Sequence, residues 1–315
     1  MKEITINSND AGRRFDRFLR KYLQNASLGQ IYKIIRKDAK VNSKRQHEDY
    51  MLCEGDMITL YLSDEEFDKL IARNKTSRSR AKRQFKIIYE DEDILVVDKP
   101  FGLLTHGDIH EKKNHLANQV RDYLIETGAF DPREKVFSPA PANRIDRNTT
   151  GLVIFGKNAT SLKELNRKIR DNEVKKYYLT VVEGSIDETL SLEGKLSKDK
   201  TKNRVTINDS GDLDIKTIVK PIQKLERNTT LVEVELLTGR SHQIRAHLSS
   251  IGHPIIGDTK YGGKEIFNIS TQLLHAYKLE FDGRKFTAEL PDNFYNILEK
   301  LGGYNERDLF NTCRI

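Results

Sequence analysis

Asp146 stands in the stretch NRIDRNTTG, residues 143–151, with Arg144 and Arg147 close on either side and the apolar run LVIF directly after it. A carboxylate acts as a nucleophile only when ionised, and a neighbouring guanidinium favours that form while burial opposes it. An extended backbone would send Arg144 and Asp146 to one face and Arg147 to the other. Taken alone, the pattern favours a local ion pair or an acid capping the turn before the strand, because structural pairs also perturb carboxylates. A carboxylate-dependent hydrolase would need a second acid as acid–base partner. None is specified nearby.

Other chemistries are poorly encoded. No Gly-rich phosphate loop follows a strand, and neither a Walker pattern nor a Gly-x-Ser-x-Gly elbow occurs. His106, His110 and His115 lie in THGDIHEKKNH, a polar loop without metal-ligand spacing, and His242 and His247, five apart, read as helix surface or RNA contacts. The two cysteines, Cys53 and Cys313, form neither a disulfide framework nor a zinc motif. No metal and no cofactor is expected.

The elements that must position Asp146 belong to a chain of 315 residues, long enough for two domains and an unstapled core. No apolar run reaches a membrane span and the start, MKEITINSND, is too polar for a signal peptide, so a cytoplasmic protein is expected. The net charge of +7 suits a polyanionic partner. Phe15, Phe18, Leu19 and Leu23 predict a first helix, capped by Asn9 or Asp10, and Leu28, Ile31, Ile34 and Ile35 a second. EGDMITLYL then predicts a strand. Residues 63–86 read as a linker: SDEEFDKL is acidic, and ARNKTSRSRAKRQFK carries seven basic residues and no acid. A tether of that kind can gain order against phosphates.

From residue 87 strands outnumber helices without regular alternation, which predicts an α+β fold on a mainly antiparallel, mixed sheet. Leu116, Val120 and Leu124 mark a helix closed by Gly128. Leu162, Leu165 and Ile169 mark another, opened by the box Ser161-x-x-Glu164. KYYLTVVEG and TLVEVELLTG read as strands. Tyr178 shares a face with Lys176 and Thr180, so Tyr177 points the other way. Arg245 lies beside the apolar stripe Ile244, Leu248 and Ile251 of a helix closed by Gly252.

Two resemblances give these elements meaning. RFDRFL at 14–19, IIRKDAKVNSKR at 34–45 and Gly55–Ile58 resemble the S-four-type RNA-binding domain, although Leu28-Gly29 stands where Ser-Arg often opens the second helix. The resemblance implies a small α/β RNA-binding domain over 1–62, with Arg14, Arg17, Arg36, Lys37, Lys40, Lys44 and Arg45 as RNA contacts. YEDEDILVVDKPFGLLTH, NRIDRNTTGLVIFGKN, KKYYLTVVEG and LLTGRSHQIRAHLSSIGHPIIGDTKYGG, in that order, resemble the RluA/RluC/RluD class of pseudouridine synthases. That likeness implies a catalytic domain over 87–315 and fixes roles by position. Asp146 matches the nucleophile, Tyr178 the active-site tyrosine that contacts the base and helps remove its proton, and Arg245 the basic partner of the carboxylate. Arg144 matches an arginine that fills the gap left by the flipped nucleotide.

One departure falls beside the nucleophile, where Asn143 replaces the family's common histidine. Asn can donate and accept hydrogen bonds but carries no proton at neutral pH. The resemblance implies a cofactor-free, monomeric enzyme acting on uridines of large-subunit ribosomal RNA. Transfer RNA is the alternative substrate, and a non-catalytic RNA-binding or ribosome-assembly factor the alternative function.

Overall fold

A computed structural model describes residues 1–71, 82–132, 134, 136–199, 204–208 and 211–303. Strand β1 (Lys2–Thr5) is followed by helices α1 (Phe15–Tyr22) and α2 (Leu28–Lys37), strands β2 (Ala39–Val41) and β3 (Met57–Leu60), and helix α3 (Asp64–Leu70). The strands form an antiparallel sheet in the order β1-β3-β2. Phe15, Phe18, Leu19 and Leu23 meet Ile31, Ile34 and Ile35 in one core, as their spacing predicts. Each such side chain contributes roughly 1.5–3 kcal/mol when fully buried.

Two local expectations need correction. Helix α1 starts after Arg14, and neither Asn9 nor Asp10 caps it. Both sit in the preceding turn, where the Asp10 N–H donates to the Asn7 side chain. The acidic start of the expected linker is a helix: Ser63 and Glu66 form a capping box, and Phe67 is buried in the N-terminal core against Tyr22. Leu70 and Ile71 pack beside Phe67 against the same core. Residues 72–81 of that linker lie outside the described residues.

The second sheet holds strands β4 (Lys86–Glu90), β5 (Ile94–Lys99), β6 (Ala140–Pro141), β7 (Thr150–Gly156), β8 (Lys175–Glu183), β9 (Leu190–Asp199), β10 (Arg204–Ile207), β11 (Leu213–Leu225), β12 (Thr229–Leu236), β13 (Leu274–Phe281) and β14 (Arg284–Thr287). Its order is β10-β9-β11-β12-β8-β13-β7-β5-β4, with β14 on β13 and β6 on β7. Every pairing is antiparallel except β13 with β7, so the fold is α+β on a mixed, mainly antiparallel sheet. At that parallel junction Gly151 takes φ +108°, and a Cβ there would stand 2.2 Å from the Ala276 carbonyl oxygen. Only glycine lets β7 approach so closely.

Helices α4 (Leu116–Glu126), α5 (Ala159–Arg170), α6 (Gln243–Ser250) and α7 (Asp292–Lys300) pack around this sheet. Helix α5 begins three residues before the expected box, because Asn158 caps it and Ser161 returns the second bond. The main core joins α4 to the inner sides of β5, β7, β8 and β12, and takes in Tyr178, Ile244 and Leu248. Asn9 links the two sheets' surroundings, donating to Glu134 at 2.8 Å and accepting from the Ala159 N–H at 2.9 Å.

Candidate active site

The loop bearing Asp146 is held from both ends. Asn143 Oδ1 accepts the Ile154 N–H at 2.8 Å and its Nδ2 donates to the Leu152 carbonyl at 3.3 Å, so the amide extends the β6–β7 ladder. This explains why asparagine serves at 143: the side chain spends both ends on backbone. Ile145 is buried, and Thr105 Oγ1 donates to its carbonyl at 2.9 Å. The Thr149 N–H then closes a turn on the Asp146 carbonyl at 3.1 Å.

Lys99, at the end of β5, is fully buried. Its ammonium donates to the carbonyls of Leu103 at 2.7 Å, Arg147 at 3.0 Å and Pro100 at 3.1 Å. Burial pulls its pKa down to about 7, against the opposing pull of Asp146 and Asp98. Three carbonyls around one nitrogen match the three donors of the charged form, which would be a positive charge beneath the loop that bears Asp146.

The opposite wall is α6. At its first residue, Gln243 locks the helix to β11 by donating to the Lys216 carbonyl at 3.1 Å and Thr217 Oγ1 at 3.0 Å. Arg245 then sends Nη1 to Asp146 Oδ2 at 3.0 Å, while Nε and Nη2 grip Asp258 at 2.7 and 2.8 Å. The Tyr261 ring lies 4.8 Å from the guanidinium. Burial works against the Arg245 charge, but Asp258 and then Asp146 outweigh it and the pKa is raised. Arg245 is only 6% exposed. It is thus a buried brace between Asp258 and Asp146.

Tyr178 faces the same space and is buried, with its phenol pushed upward by burial first and by Asp146 second. In the free protein the ring is therefore a neutral phenol, suited to contact and hydrogen bonding. Tyr177 points away, as expected, with the Lys278 ammonium 4.0 Å from its ring centre.

His247 is buried, against the expectation of helix surface or RNA contact, whereas His242 is half-buried beside Asp146. His242 precedes α6 in a left-handed conformation, φ 55°, with Nδ1 2.9 Å from the Tyr261 hydroxyl and Nε2 3.8 Å from Asp146 Oδ2. Burial lowers its pKa, and Asp146 opposes that shift. His247 is buried, with Nδ1 2.8 Å from Thr217 Oγ1. Lys99, Asp258 and Tyr261 carry no signal of their own in the sequence, and His242 reads there only as helix surface or an RNA contact. All four lie within the family-like motifs, but only the folded chain brings them to one carboxylate. His115 caps α4, and no cluster of His, Cys, Asp or Glu suited to a metal occurs among the described residues.

Arg144 and Arg147 are both exposed. Arg144 stands near His106, whose pKa burial lowers first and Arg144 second. Arg147 donates Nε to the Gly102 carbonyl at 3.1 Å. Among the N-terminal candidates, Arg14 is already committed to Asp16 by two 3.1 Å bonds. Lys40 lies 5.4 Å from the Tyr61 ring centre. Arg17, Arg36, Lys37, Lys44 and Arg45 are exposed and form no ion pair among the described residues.

Residues 93–250 match the family described as RNA pseudouridylate synthase. A ribosomal large subunit pseudouridine synthase C of Vibrio parahaemolyticus is 31% identical over 288 residues, covering 88% of this chain and 87% of that protein. An RNA pseudouridine synthase of Bacillus subtilis is 30% identical over 311 residues, covering 95% of this chain and 97% of that protein. The solved structure of human RNA pseudouridylate synthase domain containing 1 aligns with a TM-score of 0.54 at 22% identity, over 74% of this chain and 96% of that one, a likeness of fold.

Proposed function

The chain belongs to the RNA pseudouridylate synthase family, and we propose that it isomerises uridines of large-subunit ribosomal RNA with Asp146 as nucleophile. The observation that carries the site assignment is the 3.0 Å pairing of Asp146 with a buried arginine that Asp258 holds from behind. The substrate rests on the printed names of relatives such as the Vibrio enzyme. The N-terminal sheet with its exposed arginines and lysines supports RNA binding by residues 1–62, ahead of a catalytic unit from about residue 87. A ribosomal substrate supports action in the cytoplasm. A monomer suffices, since Asp146, Tyr178 and Arg245 come from one chain.

The reaction needs neither an oxidant nor an energy source. A stacked uridine hides its reacting atoms and must first be flipped out, at a cost of roughly a few kcal/mol. Exposed Arg144 stands beside the nucleophile and can occupy the vacated stack. The Asp146 carboxylate, paired with Arg245, adds to the nucleoside at C1′ or at C6. The C1′–N1 bond breaks, the uracil turns, C1′ joins C5, and the C5 proton is lost to N1 by way of solvent or a site group. The carboxylate is released unchanged. Tyr178, a neutral phenol in the free protein, contacts the base; any proton it accepts requires a changed environment with substrate bound.

The test is pseudouridine mapping after incubating the protein with unmodified large-subunit ribosomal RNA and, separately, with transfer RNA. Product in ribosomal RNA with wild type and none with Asp146→Asn is expected. Product confined to transfer RNA would reassign the substrate. Product from neither RNA would favour a non-catalytic assembly factor.

A further inference from the structure

The turn after β5 carries a side chain that the catalytic assignment leaves unused. Phe101 is 52% exposed, with Pro100 before it and Gly102, at φ +80°, after it. Isolated apolar side chains at a surface usually need no explanation. What distinguishes Phe101 is its attachment. Lys99 donates to the Pro100 and Leu103 carbonyls of this turn and, with the same ammonium, to the Arg147 carbonyl of the catalytic loop. Arg147 returns a bond to the Gly102 carbonyl, 3.1 Å away. Turn and catalytic loop are therefore one clamped unit, and the phenyl ring projects from its tip into solvent. Exposed Arg144 and Arg147 flank Asp146 on the same unit.

We propose that Phe101 is a stacking platform for the RNA base adjoining the uridine held at Asp146. This rests on the RNA-isomerising reading above and extends it to substrate positioning. An aromatic face among cations suits single-stranded nucleic acid, because every base offers a π-face and the phosphates meet the arginines. Flipping one nucleotide leaves a neighbour on each side without its partner; Arg144 enters the vacated place, and a ring on the turn clamped to the Asp146 loop takes the face of a neighbouring base that leaves the stack. Proline before it, and the bonds from Lys99 and Arg147 to the carbonyls around it, hold the turn, so little ordering cost is left for binding. Phe101 acts on the strand that presents the uridine, whereas Asp146 acts on the uridine itself.

The experiment is single-turnover pseudouridine formation over a range of concentrations of unmodified large-subunit ribosomal RNA, for wild type, Phe101→Ala, Phe101→Leu and Phe101→Trp. Thermal melts check that each variant folds, as an exposed position should allow. Both Ala and Leu are expected to raise the half-saturating RNA concentration about 5- to 100-fold. Trp should stay within about threefold of wild type, and the rate at saturation should change less than the half-saturating concentration in every variant. Unchanged half-saturation in Phe101→Ala, or full retention by Leu, overturns the platform while leaving the enzyme assignment intact. Wild type forming no pseudouridine in this RNA overturns both.

Discussion

Arginine does two different jobs in two regions of this molecule. At the proposed catalytic site Arg245 is 6% exposed and divides its donors between Asp258 and Asp146. In the N-terminal unit Arg17 and Arg36 are exposed and unpaired with any acid among the described residues. A buried guanidinium must be matched group by group, so its partners fix its position and it fixes theirs. An exposed one is free to neutralise phosphate, and its effect is long-ranged and screened by salt. One region orients, the other attracts.

The comparison is tested hardest at Asp146. Asp146→Asn removes the nucleophile but keeps its size, and should cut pseudouridine formation roughly 10⁴-fold or more while leaving RNA affinity nearly unchanged. Next is Arg245→Ala, which strands the buried Asp258 carboxylate. Removing one partner of a buried pair costs roughly 3–5 kcal/mol, readable as a lower denaturant midpoint together with lost activity. If that variant lost activity at full stability, the arginine would be a reacting-site group only and not a brace.

A smaller effect is expected where charge attracts. Arg17→Ala, Arg36→Ala and Lys37→Ala combined should weaken RNA binding by about 10- to 100-fold at low salt, with rate at saturation and melting temperature unaltered. The slope of log affinity against log salt should fall by roughly 0.7 for each phosphate of single-stranded RNA that the variant no longer neutralises. A salt-independent loss would mean that these side chains shape the N-terminal fold instead. Arg14, bound to Asp16, should contribute less to that slope than Arg17.

How far the site could be read beforehand follows the same division. The helices of the N-terminal unit announced themselves because Phe15, Phe18, Leu19 and Ile31, Ile34, Ile35 repeat at helical spacing. Asp146, Tyr178 and Arg245 were legible only through motif likeness, since one acid between arginines has a simpler local explanation. Lys99, His242 and Asp258 were not legible as site members. Their relevance depends on contacts such as Lys99 with Arg147, 48 residues away, and Arg245 with Asp146, 99 residues away. Periodicity reports which face is buried and is silent on which buried polar groups meet. The expectation of surface at His247 failed for that reason: polar residues five apart suggested solvent, and His247 instead has a buried threonine partner.

The smallest predicted effect lies between the two regions, at an acid that lacks what Asp258 has. Asp258 is gripped by two arginine nitrogens, whereas Asp10 Oδ1 and Glu134 Oε2 are buried without hydrogen-bond partners among the described residues. Burial raises the Asp10 pKa to about 6, with Arg13 opposing and Glu134 adding to the rise. Between about pH 4 and 6 the folded chain holds a proton that the unfolded chain has released, so stability from this group is complete below about 4 and is lost as pH rises through 6. Asp10→Asn removes the charge, and should stabilise by about 1 kcal/mol above pH 6, discounted for partial exposure, and by almost nothing below pH 4. His247 and His275, held neutral by burial with pKa lowered to about 4, make the whole chain less stable as pH falls below the usual histidine range. The difference between variant and wild-type melting curves is therefore the readout, since both share that background. A gain that did not depend on pH would mean that Asp10 is ionised throughout, and that the Asn9 contact with Glu134 sets the junction by geometry instead of charge.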